Sequence, residues 1–230
     1  MSKVQLIRYA DDFVIIHEDR TAIEMAKTLI TDWLRPMGLE LKISKTRLTH
    51  TLNEVESNVG FDFLGFTVRQ FRVGKYRTGY WKKGVPLGFK TSVRPSKVGV
   101  ERHYRQLAKI VDAHKSKAQS ELIAAGPPVR LNPVIRGWTN YYSRVVSKRT
   151  FTRLGHLLYQ KLRAWARRRH RNKTTAWAIH KYWTICKGKS WWFAAHQSKQ
   201  RHQLARHADT LIVRHIKPGR RGGAGEPKPI

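Results

Sequence analysis

The chain of 230 residues carries 46 Lys and Arg against 15 Asp and Glu, a formal net charge of +31, and a single cysteine. That cysteine, Cys186, excludes an intramolecular disulfide and a multi-cysteine metal site, and the lack of an apolar run of membrane length excludes a spanning helix. The charge calls for a polyanionic partner and is unevenly placed: residues 1–60 hold 8 basic and 9 acidic side chains, residues 61–230 hold 38 and 6.

Met1 to Lys3 leads directly into a predicted strand, so no secretory leader is expected and the protein should be soluble and intracellular. Val4 to Ala10 is mostly apolar and Phe13 to Ile16 is aromatic and β-branched, which predicts two strands with Asp11-Asp12 at their connection. Asp tolerates turn geometry, so a tight hairpin would project two carboxylates from a stiff ribbon. Adjacent like charges ask for a cation, a base or water, and Mg²⁺ favours such oxygen donors. A bare Asp-Asp pair is most often a solvated turn; Tyr9-Ala10-Asp11-Asp12 between strands is far more specific and resembles the catalytic hairpin of reverse transcriptases.

Thr21-Ala22-Ile23-Glu24 reads as a capping box opening a helix with Ile23, Ala26, Ile30, Trp33 and Leu34 on one face, ended by Pro36 and Gly38. Leu39, Leu41 and Ile43 alternate with Glu40 and Lys42, which predicts a half-buried strand closed by Ser44-Lys45-Thr46. Phe61 to Val68 predicts an aromatic strand pair turning at Gly65. Arg69 to Pro95 keeps neither period and reads as an irregular or hairpin-like connection with Tyr76, Tyr80, Trp81 and Phe89 among cations. Ser96 caps a predicted helix facing inward through Val100, Tyr104, Leu107, Val111 and His114. Gly126-Pro127-Pro128 breaks the chain, and Asn132-Pro133 offers an N-cap with proline at the first helical position. Val134, Trp138, Tyr141 and Val145 share a face of that helix. A further helix from about Thr150 turns Phe151, Leu154, Leu158, Leu162 and Trp165 inward, completing a small bundle. Trp177, Tyr182, Trp183, Trp191, Trp192 and Phe193 require a small core or stacked bases, the core being the simpler account.

Three stretches extend the resemblance in order. Gly38-Leu39-Glu40-Leu41 with Ser44-Lys45-Thr46 is similar to the reverse transcriptase motif after the catalytic hairpin, and Phe61-Asp62-Phe63-Leu64-Gly65-Phe66 to the primer grip. Leu131-Asn132-Pro133-Val134-Ile135-Arg136-Gly137-Trp138-Thr139-Asn140-Tyr141-Tyr142 resembles the signature of the maturase-specific, or X, domain of group II intron-encoded reverse transcriptases, which serves as their thumb. The resemblance covers residues 4 to about 185, and Thr210 to Ile216 looks like the end of that family's DNA-binding region.

This resemblance implies an α+β fold: a partial polymerase palm (antiparallel catalytic hairpin plus helix) followed by an α-helical thumb bundle and a basic tail. The corresponding segments are 1–68 for the palm, 69–95 for the connection, 96–185 for the thumb, 186–218 for a basic DNA- or RNA-binding region and 219–230 for a disordered tail. It implies that Asp11 and Asp12 bind Mg²⁺, that Lys45 lies near the nucleotide phosphates, and that Phe63, Leu64, Gly65 and Phe66 grip the primer. The expected RNA-binding side chains are Lys97, Arg102, Arg105, Lys109, Arg136, Trp138, Asn140, Tyr141, Tyr142, Arg167, Arg168, Arg169, Arg171 and Lys173. The partners would be group II intron RNA and a DNA target or primer, with no membrane, in a prokaryotic cytoplasm or an organelle.

The same resemblance places fingers and the front of the palm, with another metal-binding aspartate, ahead of Tyr9, where eight residues stand. It also places an endonuclease module beyond Ile230 in many relatives. Asp19, Asp32 and Asp62 lie in no matching motif, and His202 and His207 are badly spaced for a metal. Mg²⁺-dependent synthesis is therefore expected only when an N-terminal fingers/palm chain completes the site; the alternatives are a non-catalytic RNA-binding splicing cofactor or an inactive truncated remnant.

Overall fold

The computed structural model describes residues 3–80, 84–123, 130–186, 190–197 and 200–213. Trp81, the Gly126-Pro127-Pro128 break, the residues from Arg214 and the predicted tail lie outside them. The fold is mixed α+β, and it divides into two compact units, residues 1–64 with 68–91 and residues 65–67 with 92–230.

In the first unit, β1 (Gln5–Tyr9) and β2 (Asp12–Ile16) pair antiparallel with Tyr9 opposite Asp12, so the loop is the two residues Ala10 and Asp11. The helix α1 (Arg20–Leu34) follows and packs on β2, with Ile23, Ala26, Ile30 and Leu34 half-buried. Its cap is Asp19, whose carboxylate accepts from the Thr21 amide, and not Thr21 itself. Glu24 pairs with the Arg20 guanidinium at 2.7 Å instead of reaching back to a cap. Trp33, placed inward by periodicity, is 63% exposed. The helix ends as expected, in a 3-10 turn (Arg35–Met37) closed by Gly38 at φ 69°.

The strand expected at Leu39 to Ile43 does not form: Ile43–Lys45 is a 3-10 turn, and Ile43 is 90% exposed. Alternation alone cannot hold a strand without a partner edge. Residues 49–53 instead bond to the strand beyond: the Gln70 amide donates to the Thr51 carbonyl at 2.7 Å and Arg72 to the Asn53 side chain at 3.0 Å. Strands β3 (Phe61–Phe63), β4 (Phe66–Arg72) and β5 (Phe89–Pro95) form one sheet in that order. The stretch read as irregular or hairpin-like thus takes the hairpin-like form, with β4 and β5 side by side and a long connection between them.

The second unit holds the main core. Ser96 caps α2 (Lys97–Ala113), its Oγ accepting from the Gly99 amide at 3.1 Å. Of the inward residues expected on α2, Leu107, Val111 and His114 are buried and Val100 and Tyr104 half-buried, and His103 and Ile110 are buried with them. After α3 (Gln119–Ile123) comes α4 (Leu131–Tyr141), which buries Leu131, Ile135 and Thr139 while leaving Tyr141 exposed. Asn132 is not its cap. It is nearly buried, donates through Nδ2 to the Gln203 carbonyl at 2.9 Å and accepts at Oδ1 from the Ala205 amide at 2.7 Å.

The long helix α5 (Lys148–Arg169) buries Phe151, Leu154, Leu158, Leu162 and Trp165, as the periodicity predicts. It also serves the end of α2, where the last carbonyls lack intrahelical donors. The Trp165 indole donates to the His114 carbonyl at 3.0 Å, and one Arg169 nitrogen donates to the Lys115 and Lys117 carbonyls, both at 2.9 Å. Then α6 (Thr175–Tyr182) runs into an antiparallel sheet of β6 (Trp183–Cys186), β7 (Ser190–Gln197) and β8 (Gln200–Gln203). This sheet, unforeseen in the basic region, buries Trp183, Phe193, Ala195 and Leu204 in the same core as the helices.

Against this core the 3-10 turn His207–Asp209 buries His207 completely. Its Nε2 lies 2.9 Å from Nε2 of His103, and Trp138 stacks on His103 with ring centroids 4.4 Å apart. One imidazole must donate and the other accept, so the contact requires a neutral acceptor. Burial pushes His103 down to about 3, aided by His207, and burial pushes His207 down to about 4. Unfolded histidine takes up protons below about 6.5 while these two do not, so the unfolded state binds more protons and stability falls as pH drops from about 6.5 towards 4. The decline is at most about 1.4 kcal/mol per pH unit for each histidine. Urea unfolding across this range should show that slope, and His103→Leu with His207→Leu should flatten it; an unchanged slope in the double variant would refute the assignment.

Candidate nucleic-acid interface

The carboxylate pair sits at a turn that the neighbouring residues brace. Ala10 adopts φ 52°, the left-handed region, at the first loop position. The Arg8 guanidinium donates across the turn to the Ala10 carbonyl at 2.9 Å. The strained residue is therefore Ala10, and the two aspartates keep ordinary backbone geometry with exposed side chains. Their four oxygens are hard donors of the kind Mg²⁺ takes, commonly one or two carboxylates with the remainder from substrate phosphates and water. The donor set fits such an ion. Among the described residues no group of three or more His, Cys, Asp or Glu gathers around them or elsewhere. Lys45 is exposed at the end of its 3-10 turn.

Within the second unit, Gly65 and Phe66 meet the thumb-like signature directly. The Gly65 carbonyl accepts from the Ser96 amide at 2.8 Å and from the Tyr142 hydroxyl at 3.0 Å. The Phe66 ring lies 5.1 Å from both Tyr141, stacked, and Tyr142, edge-on. Leu64 and Gly65 have φ 49° and 78°, the pair of positive values that a tight two-residue hairpin turn uses.

Two of the expected RNA contacts are packed among other rings. Tyr142 is 5% exposed with its hydroxyl engaged, and burial pushes that hydroxyl's pKa up. Trp138 is half-buried and enclosed by His103, Tyr142, Phe151 and His207. Tyr142 is thus inside the protein, while part of Trp138 remains exposed. Arg169 is exposed but holds the end of α2 and lies over Trp165 at 4.9 Å, so its first duty is structural.

The other predicted cations are exposed. On α2, Arg102, Arg105 and Lys109 fall at i, i+3 and i+7, one stripe, with Lys97 off to the side. Arg136 and Asn140 lie one turn apart on α4. At the end of α5, Arg167 and Arg168 join Arg171, Lys173, His170, Ala164 and the Thr174-Thr175 start of α6 around an open pocket of about 530 Å³. His170 in that wall is held below its usual pKa by burial and by Lys181, Arg169 and Lys173.

A further basic feature was not anticipated. Arg149, Arg153, His156, Gln160, Arg163 and Arg167 recur at alternating steps of four and three, all exposed, and α5 contains no acidic residue. At 1.5 Å per residue they make a basic stripe of about 27 Å ending at the pocket. The same periodicity that located the apolar face carried this one, shifted around the helix.

Two known families match the chain, one after the other. Residues 1–68 match the reverse transcriptase (RNA-dependent DNA polymerase) family, and residues 100–183 match the group II intron maturase-specific domain. No curated protein matches the chain.

The Gly65 turn generates a test. A Cβ at Gly65 would stand 2.8 Å from the Tyr142 hydroxyl, at a φ that L-residues adopt at a cost of about 1–2 kcal/mol. Gly65→Ala should destabilise more than Tyr142→Phe, which removes one hydrogen bond worth about 1 kcal/mol. The double variant should be less destabilised than the sum, because removing the hydroxyl relieves the clash; strict additivity in urea unfolding would contradict this arrangement.

Proposed function

We infer the function from the premise that this chain belongs to the group II intron reverse transcriptase/maturase family, a reverse transcriptase region preceding a maturase-specific domain. The chain binds folded intron RNA through the cationic sides of α2, α4 and α5 and thereby supports splicing, whose chemistry the RNA performs. The observation that carries this reading is the basic stripe of α5, four arginines and a histidine with the neutral Gln160 among them, which suits a row of backbone phosphates and has no acidic neighbour on its helix.

The second activity of the family, copying RNA into DNA, is proposed for the chain in combination with a fingers/palm portion. Asp11 and Asp12 would hold Mg²⁺, which when bound activates the primer hydroxyl and stabilises the departing pyrophosphate. Lys45 would neutralise nucleotide phosphates, and the turn from Phe63 to Phe66 would hold the primer end. The partner portion has a surface to meet, since Leu6, Ile7, Leu29 and Trp33 of β1 and α1 are all exposed. These exposed side chains, Leu6 and Ile7 on opposite faces of β1 and Leu29 and Trp33 one turn apart on α1, are what such a portion would cover.

Two measurements separate the readings. Binding of intron RNA should weaken steeply with salt, and Arg153→Gln with Arg163→Gln should reduce the slope by about one for each phosphate that is no longer neutralised. Asp11→Ala should leave that binding unchanged. In Mg²⁺-dependent primer extension, activity should appear on adding a fingers/palm fragment and vanish with Asp11→Ala. Extension by the chain alone would overturn the need for a partner portion, and salt-insensitive binding would overturn the RNA-binding assignment.

A further inference from the structure

The structure sorts the tryptophan-rich stretch after α5 in a way its sequence does not. Tyr182, Trp183 and Phe193 enter the core, and Trp192 lies under the Arg206 guanidinium at 4.0 Å. Trp177 and Trp191 stay outside the core and remain 39% and 44% exposed. An isolated exposed tryptophan needs no explanation. These two differ by their surroundings. Trp177 projects from α6 three residues after the cap Thr174, directly beside the pocket lined by Arg167, Arg168, Arg171 and Lys173. The ammonium groups of Lys181 and Lys173 lie 5.0 Å and 5.7 Å from its ring centroid. His180, one turn further along α6, meets the Trp191 ring at 5.0 Å.

We propose that Trp177 and Trp191 form a stacking platform for an unpaired stretch of nucleic acid whose phosphates enter the adjoining α5–α6 pocket. The proposal rests on the RNA-binding reading above and specifies the kind of strand that this part of the surface takes. Indole faces beside flexible ammonium groups suit unpaired bases, which offer their faces while the lysines turn to the phosphates. Paired bases are stacked on each other and cannot use such rings. The pocket wall is cationic and carries no acid, and its positive lining complements a phosphate-rich chain. A lipid surface fits less well, because the rings flank a cationic hollow and do not form the continuous apolar stripe of an interfacial helix.

The test uses the full chain and fluorescein-labelled oligonucleotides of about twelve nucleotides: oligo(U), oligo(dT) and a blunt RNA duplex. Trp177→Ala and Trp191→Ala should each weaken single-strand binding by about tenfold while leaving duplex binding and the salt slope essentially unchanged. Trp177→Phe, which keeps a ring, should recover most of the affinity and separates stacking from misfolding. Replacing Arg168, Arg171 and Lys173 by Gln should weaken single strand and duplex alike and lower the salt slope. Comparison of oligo(U) with oligo(dT) tells whether RNA or DNA is preferred, and either preference supports the platform. Equal weakening on single strand and duplex, no weakening on either, or a tryptophan effect seen only with anionic phosphatidylserine vesicles would overturn it. If the wild-type chain binds no oligonucleotide in a salt-dependent way, the RNA-binding reading falls as well; if it binds and the tryptophan variants do not matter, only the platform falls.

Discussion

A single carbonyl, that of Gly65, organises the second unit. It receives the Ser96 amide and the Tyr142 hydroxyl together, and each donor is itself a joint. Ser96 caps α2 through its side chain, so the start of that helix is fixed by the residue that also grips the turn. Tyr142 closes α4, and its own carbonyl accepts from the Ser147 hydroxyl at 2.8 Å, one residue before α5 begins. Three helix termini therefore take their position from one point. A Cβ at residue 65 would stand 2.8 Å from the Tyr142 hydroxyl, too close without a shift, which makes the smallest residue a steric requirement as well as a conformational one.

What the sequence made legible was local or strongly periodic. The Tyr-Ala-Asp-Asp hairpin needs only two β-prone runs and a two-residue turn, and α5 displays five large apolar residues at helical spacing. The misreadings share a different origin. Asp19 and Thr21 are both good caps two residues apart, and the choice between them depends on which residue the preceding strand leaves extended. Leu39 to Ile43 alternates correctly yet finds no strand to pair with. Asn132 looks like a cap by type, but its amide is committed to residues 203 and 205. The His103 and His207 contact joins positions 104 apart, which no local pattern announces.

Charge and aromatic content, diffuse in the sequence, are segregated in three dimensions. The inner side of α5 is hydrocarbon and indole, and another side is guanidinium and imidazole. Segregation of this kind keeps cations off the core side of the helix, where they would need partners that the scarcity of acids does not supply. One acid of this unit acts as a brace: Asp112 meets Lys161 at 2.8 Å between α2 and α5, and that pairing first of all holds its carboxyl below the usual range. Asp209 meets Arg206 at 3.0 Å beside the buried His207.

The amide of Asn132 has a further consequence. With Nδ2 on the Gln203 carbonyl and Oδ1 on the Ala205 amide, it occupies the backbone groups at the end of β8, the outermost strand of its sheet. An open edge there would be a template for pairing with another copy of the chain. A side chain that imitates a peptide unit occupies two backbone groups beside that edge without adding a strand, and it comes from the helix that opens with Leu131.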